Sequence, residues 1–200
     1  HPVSPSAIAA LVAERELARE PGSTVIHNLI TSKAVPEIIR ENGGEPVRTR
    51  VGHSFIKAKM AETNAVFGGE HSAHYYFRDF WRADSGMLAA MHVLAALGQQ
   101  DKPLSEMMAK YNRYAASGEI NSRLDSAEAQ ADRTEAVVKA FADRAENVDR
   151  LDGVTVELKD GNWFNVRASN TEPLLRLNVE ADTQEAVDAL VKEILAIIRA

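Results

Sequence analysis

From Thr24 to Phe67 the chain switches repeatedly between two hydrophobic periods, and this alternation most narrows what it can fold into. Thr24-Val25-Ile26-His27-Asn28-Leu29-Ile30 is a β-branched run and predicts a strand. A helix follows, with Val35, Ile38 and Ile39 at helical spacing and a stop at Asn42-Gly43-Gly44. Pro46 to Val51 reads as a second strand, His53 to Glu62 as a helix, and Ala65-Val66-Phe67 as a third, short strand. Strand, helix, strand, helix, strand with short connections is the pattern of a parallel sheet covered by helices. In such sheets ligands collect beyond the carboxyl ends of the strands. Upstream, Ser4-Pro5 opens a helix with Ile8, Leu11 and Val12 inward, ended by Pro21-Gly22. Downstream, Asp84-Ser85-Gly86 caps a helix running to Leu97, and a shorter helix follows around Leu104 to Tyr114.

Ser117-Gly118 breaks this pattern, and the domain boundary is placed between residues 116 and 117. Beyond it, Thr134 to Ala145 reads as an amphipathic helix with Val137, Val138, Phe141 and Ala145 on one side. Val154 to Leu158 alternates as a half-buried strand, Asp160-Gly161 is a hairpin turn, and Trp163 to Val166 and Leu174 to Val179 supply two more strands. Asp182 and Glu185 have capping-box spacing before a last helix that turns Val187, Leu190, Val191, Ile194 and Ile198 inward. The expected fold class is an α/β domain with a mainly parallel sheet over residues 1–116, then a small α+β domain over residues 117–200.

A net charge of -6 argues against a generic nucleic-acid binder, because backbone affinity comes from clustered Lys and Arg. One small anion needs only a local cluster, so an anionic ligand stays open. The chain has no cysteine, which removes disulfides and thiolate metal sites and suits the reducing cytoplasm expected for it. The longest nearly apolar run, Met87 to Leu97, contains His92 and is too short to cross a bilayer. His1-Pro2-Val3-Ser4-Pro5 lacks the pattern of a signal peptide. Neither nucleic acid nor membrane is an expected partner.

Three clusters carry chemistry. Glu70, Ser72 and His74 alternate along the loop that leaves the third strand, so an extended backbone would project them to one side. A carboxylate accepts from adjacent ring hydroxyls, serine and histidine donate or accept, and Gly68-Gly69 would let the backbone approach a hexose. A metal site built from His71, His74 and Glu70, or a plain solvated loop, competes with that reading. Tyr75, Tyr76, Phe77, Phe80 and Trp81 follow, and either stack on a sugar or pack against the sheet. Arg48, Arg50, His53, Lys57 and Lys59 surround the second strand end, where a helix opening at Gly52 offers free N–H groups to an anion. Lys57 lies one turn beyond His53; the alternative is a solvated helix edge. Arg167-Ala168-Ser169-Asn170-Thr171, with Arg176 on the returning strand, offers a guanidinium fork and short donors to a phosphate, or is simply a turn.

Together these residues resemble the α-D-phosphohexomutase family, and within it the phosphomannomutase/phosphoglucomutase group. Gly69 to His74 match the family's sugar loop G-E-x-S-G-H except at Ala73, where the family has glycine. Arg167, Ser169, Asn170 and Thr171 match its phosphate loop R-x-S-N-T, and Val51-Gly52-His53-Ser54-Phe55-Ile56-Lys57 resembles its histidine-bearing helix entry. The resemblance covers the last two of four family domains. The first would carry a phosphorylated serine and the second an aspartate-rich Mg2+ loop; no T-A-S-H-N-P-like or D-G-D-x-D-R-like segment occurs here.

The resemblance implies the C-terminal half of an enzyme that interconverts hexose 6-phosphate and hexose 1-phosphate through a hexose 1,6-bisphosphate. It makes the second domain TATA-binding-protein-like. It puts Glu70, Ser72, His74 and His53 on the sugar, with His74 also a proton carrier, and Arg167, Ser169, Asn170 and Thr171 on the phosphate. Lys57 and Arg176 are additional contacts, as is Lys33, the cation nearest a family lysine whose place is taken by Ile30. The implied partners are a hexose phosphate and the missing N-terminal domains, without which the chain is expected to be inactive. A stand-alone sugar-phosphate-binding module is the alternative, and a scaffold with relic loops a third reading.

Overall fold

The β-branched run does form a strand, over Thr24–Asn28, and it lies inside the first of two sheets, flanked on both sides. The computed structural model describes residues 2–169 and 172–200. It divides into two units, His1–Arg113 and Tyr114–Ala200. In chain order the first contains α1 (Pro5–Arg19), β1 (Thr24–Asn28), α2 (Ala34–Glu41), β2 (Glu45–Thr49), α3 (His53–Thr63), β3 (Phe67–Gly69), β4 (Tyr75–Phe77), β5 (Ala83–Asp84), α4 (Gly86–Gly98) and α5 (Leu104–Ala109). β1 pairs in parallel with β2 on one side and β3 on the other. β3 then pairs antiparallel with β4, and β4 with β5, giving the order β2-β1-β3-β4-β5. The sheet is therefore mixed. Tyr75–Phe77, all buried, complete it as a strand because a turn right after β3 reverses the chain.

β3 starts at Phe67, so Gly68 and Gly69 lie within the strand instead of following it. Neighbouring strand residues face opposite layers. A Cβ on Gly69 would sit 2.7 Å from Ala9 Cβ of α1, and one on Gly68 would sit 3.0 Å from Ile56 Cγ2 of α3. α1 and α3 thus cover opposite faces. α1 packs against α2 and α4 as well as the sheet, which is why Ala7, Ala9, Ala10, Leu11, Val12, Ala13 and Leu17 are all buried. The single inward stripe expected for it understates this burial, and Ile8 from that stripe is only half-buried.

The second unit contains β6 (Ala115–Ala116), β7 (Ile120–Arg123), α6 (Ala127–Phe141), β8 (Ala145–Asp149), β9 (Val154–Leu158), β10 (Trp163–Ala168), β11 (Leu174–Ala181) and α7 (Gln184–Ile198). β11 is its spine, pairing with β10 along one side and with β7 and β6 along the other. Because β6 pairs with β11, Ala115 and Ala116 join this sheet, a few residues ahead of the boundary read from sequence. Phe141 of α6 and Val187 and Ile194 of α7 pack with Phe164 and Leu177 in one core. Fully burying side chains of this size contributes about 1.5–3 kcal/mol each. The helix expected over 134–145 is shifted: Ser126 Oγ caps it by accepting from Ala129 N–H, it ends at Phe141, and Ala145 begins β8. α7 is capped by Thr183 Oγ1, which accepts from Ala186 N–H, so the box based on Asp182 is displaced by one residue. Among the described residues no helix is long and apolar enough to cross a membrane.

Candidate functional site

Because β1, β2 and β3 are parallel, their carboxyl ends share one edge, and residues 29–33, 50–52 and 70–74 emerge there. Glu70 ties this edge together. It is 1% exposed, and its Oε1 accepts from Asn28 Nδ2 at 3.2 Å and from Gly52 N–H at 3.2 Å. Its Oε2 accepts from Tyr76 OH at 2.7 Å. A carboxylate offers about four acceptor positions, so about one remains. A buried charge requires such partners. The Gly52 amide, just ahead of α3, is one of the donors a helix cannot satisfy internally, and Glu70 satisfies it. Burial, reinforced by the Glu70 carboxylate, pushes the Tyr76 phenol well above its ordinary range, so it remains a donor.

The extended loop expected after β3 is a turn. Ala73 N–H donates to Glu70 O at 3.2 Å and Glu70 N–H to His74 O at 3.0 Å. Ala73 has φ +66, the left-handed region that favours glycine, which accounts for the glycine of the motif. The turn abolishes the alternation: Glu70 points inward, Ser72 is exposed and His74 is half-buried. The glycine pair expected to admit a ligand is occupied by helix packing. His71, not a sugar contact in the sequence reading, hydrogen-bonds through Nδ1 to Ser6 Oγ at 3.1 Å, and Ser32 N–H donates to that same oxygen, so the turn is pinned to α1.

His53 and His74 come together beside Glu70. His53 is exposed at the start of α3, and its Nδ1 lies 2.5 Å from Tyr76 OH. Since that hydroxyl already donates to Glu70, His53 Nδ1–H is the donor. His74 Nδ1 lies 2.7 Å from Asp84 Oδ2, and Asp84 Oδ1 accepts from Tyr75 N–H at 2.9 Å. The two imidazoles meet edge to face, centroids 4.5 Å apart. Asn28, Tyr76 and Asp84 escaped the sequence reading as site residues. The available signals were a strand-end asparagine, an aromatic that needs a hydroxyl partner, and an acid beside a helix cap. Lys33 precedes α2 at the same sheet edge, and Lys57 is exposed one turn into α3. Behind this edge His27 is buried with Nδ1 3.0 Å from Thr31 Oγ1; burial, with Arg48 and Arg40 adding to it, holds its imidazole down at about 4.

In the second unit Arg167 and Arg176 are cross-strand partners on β10 and β11. Like charges so placed repel unless compensated. One carboxylate, Glu119, lies 3.8 Å from Arg167 Nη2 and 3.4 Å from Arg176 Nη1. Arg176 Nη2 also donates to Ser169 Oγ at 3.3 Å. The Nε atoms of both arginines are buried and have no hydrogen-bond partner among the described residues. Two guanidiniums against one carboxylate leave a net positive charge and donors to spare, the complement of an anion. Gly153, with φ +66, lets the loop before β9 lie directly on Arg167, where a Cβ would be 2.8 Å from its Cα. Asn170 and Thr171, the rest of the expected phosphate loop, lie outside the described residues.

Comparison with known proteins identifies the family of both units. The family described as phosphoglucomutase/phosphomannomutase, alpha/beta/alpha domain III, matches residues 4–114, and the phosphoglucomutase/phosphomannomutase C-terminal domain matches residues 119–197. A phosphomannomutase of Methanocaldococcus jannaschii is 39% identical over 191 residues, covering 96% of this chain and 41% of that protein. A phosphomannomutase of Escherichia coli K12 is 42% identical over 176 residues, covering 87% of this chain and 38% of that protein. The crystal structure of a phosphoglucomutase/phosphomannomutase family protein from Burkholderia thailandensis aligns with a TM-score of 0.81 at 29% identity, covering 98% of this chain and 42% of that one. The chain spans well under half the length of these relatives.

Proposed function

Because this chain belongs to the phosphoglucomutase/phosphomannomutase family and contains its domain III and C-terminal domain, we propose that it is the substrate-binding C-terminal half of a phosphohexomutase. The reaction assigned to the whole enzyme interconverts hexose 6-phosphate and hexose 1-phosphate. A phosphoserine outside this chain gives its phosphoryl group to the free hydroxyl of the hexose phosphate. The bisphosphate turns over, and its other phosphoryl group returns to the serine. Such transfer depends on positioning and charge stabilisation. Mg2+ would supply charge neutralisation at the reacting phosphoryl group, from ligands that this reading assigns to the preceding domains. The cluster of His53, His74 and Asp84 does not fit Mg2+, which prefers oxygen ligands.

The observation that carries the proposal is the arginine pair. Arg167 and Arg176, with Ser169 and the adjoining Asn170 and Thr171, hold the phosphate that is not reacting. Ser72, His53 and His74 hold ring hydroxyls, and Glu70 anchors their loop while keeping about one acceptor position for a hydroxyl. His74, oriented by Asp84 at Nδ1, presents Nε2 as the proton carrier. Lys57 and Lys33 add positive charge at the sheet edge.

Calorimetric titration with mannose 1-phosphate and glucose 1-phosphate tests this. Charge-assisted hydrogen bonds contribute about 1.5–3 kcal/mol, so Arg167→Ala should weaken binding roughly 10- to 100-fold. Equal affinity in the variant would remove the phosphate assignment. The isolated chain should show no mutase turnover, and turnover by the purified chain would overturn the division of labour.

A further inference from the structure

We propose that His53 and His74, with Asp84 behind them, form a binding site for a late first-row divalent ion, Zn2+ foremost. One ligand atom from each of these three residues lies within 4.8 Å of the other two. Ligand atoms around tetrahedral Zn2+ stand about 3.3 Å apart, given Zn–N bonds of about 2.0 Å, and the two imidazoles, edge to face with centroids 4.5 Å apart, are close enough to share one ion while Asp84 stays hydrogen-bonded behind His74.

Each ring is already oriented from its Nδ1 side. His53 Nδ1–H donates to Tyr76 OH, which passes the hydrogen bond on to Glu70. His74 Nδ1 faces Asp84 Oδ2 at 2.7 Å, and Asp84 is itself fixed by Tyr75 N–H. Metal-binding imidazoles are held in this manner: the group behind one nitrogen sets the tautomer and raises the basicity of the other. Nε2 of each ring is then the donor toward the ion. The side chains of His74 and Asp84 are 39% and 31% exposed, and His53 is exposed too, so an ion can enter with its water. Imidazole donors select Zn2+, Co2+ or Ni2+ over Mg2+ and Ca2+. With no cysteine in the chain, water completes the coordination shell and the ion is exchangeable. If the hydroxyl-binding role proposed above also holds, ion and hexose compete for the same two rings, and the ion inhibits.

The test is calorimetric titration of the whole chain with ZnCl2 in excess Mg2+, with Co2+ absorption as a readout of coordination. The expected result is one saturable Zn2+ site that Mg2+ does not displace, and visible Co2+ bands from nitrogen coordination. His53→Ala and His74→Ala should each weaken Zn2+ binding at least about 10-fold, and the isosteric Asp84→Asn about 10- to 100-fold. His92→Ala, outside the cluster, should bind as the parent does. Circular dichroism verifies that each variant is folded. Parent-like Zn2+ affinity in both folded histidine variants, displacement by Mg2+, or no saturation below about 1 mM would overturn the site. Zn2+ binding that mannose 1-phosphate does not weaken would uphold the ion site and remove the shared hydroxyl role.

Discussion

Gly153 and Gly118 form a matched pair for a stability experiment in the second unit. Both adopt left-handed backbone, with φ of +66 and +67. An added Cβ at Gly118 meets nothing within 4 Å, whereas at Gly153 it falls 2.4 Å from the Val166 carbonyl oxygen and 2.8 Å from Arg167 Cα. Gly118→Ala therefore carries the left-handed penalty of about 1–2 kcal/mol, offset by about 0.4–1 kcal/mol from a stiffer unfolded chain. Gly153→Ala carries the same two contributions plus the clash. Overpacking costs about 1–3 kcal/mol, and here main chain must move, which puts the cost toward the upper end. The two variants should thus differ by about 1–3 kcal/mol, or about 4–8 °C of melting midpoint per kcal/mol in a unit of this size. Urea and thermal unfolding of the whole chain, followed through the fluorescence of buried Trp163, measure that difference. Gly153→Ala should also weaken phosphate binding, since the displaced backbone belongs to Arg167. Equal stability of the two variants would refute the steric argument.

Ala73→Gly should leave the chain as stable or up to about 1.5 kcal/mol more stable, because relief of the left-handed conformation equals or outweighs the added unfolded-state freedom; a urea midpoint lowered beyond error would contradict this. Glu70→Gln should destabilise the first unit by about 1–3 kcal/mol, since an amide cannot accept from all three donors, and denaturant titration at pH 7 gives the value. The pH dependence follows from His27, whose folded pKa of about 4 lies below its ordinary value. As pH falls from about 6.5 the unfolded chain binds the proton first, so stability present at neutrality drains away to a total of about 3 kcal/mol near pH 4. Urea midpoints across that range should fall in the parent, and a His27→Gln variant should show a shallower slope; identical slopes would assign the loss to other groups.

The parallel half of the first sheet was legible because β-branched residues and helical spacing alternate cleanly from Thr24 onward. The antiparallel return was not: Tyr75–Phe77 is too short to show a period, and its pairing depends on the turn at Ala73. β8 was hidden because Ala145 continues the spacing of Val137 and Phe141 past the true end of α6. The start of α6 was equally obscure, since Ala127 to Asp132 carries few apolar residues to mark a face. The residue types of the loops that follow β3 and β10 could be read, but not the direction of Glu70. Its donors come from Asn28, Gly52 and Tyr76, and only folding brings those together. Glu119, the counter-charge between Arg167 and Arg176, had no local signature at all.

The two glycines of β3 shape more than packing. They press α1 and α3 onto the central strand from opposite sides at the edge where His53 and His74 meet, so the strand presents only main chain there. Main chain has no side chain to exchange. Point substitutions can retune this site only through what is bolted around that strand: the turn from Glu70 to His74, the entry to α3, and the return through Asp84. Altered preference for a ligand must therefore come from short, replaceable loops, while the glycine strand itself resists variation.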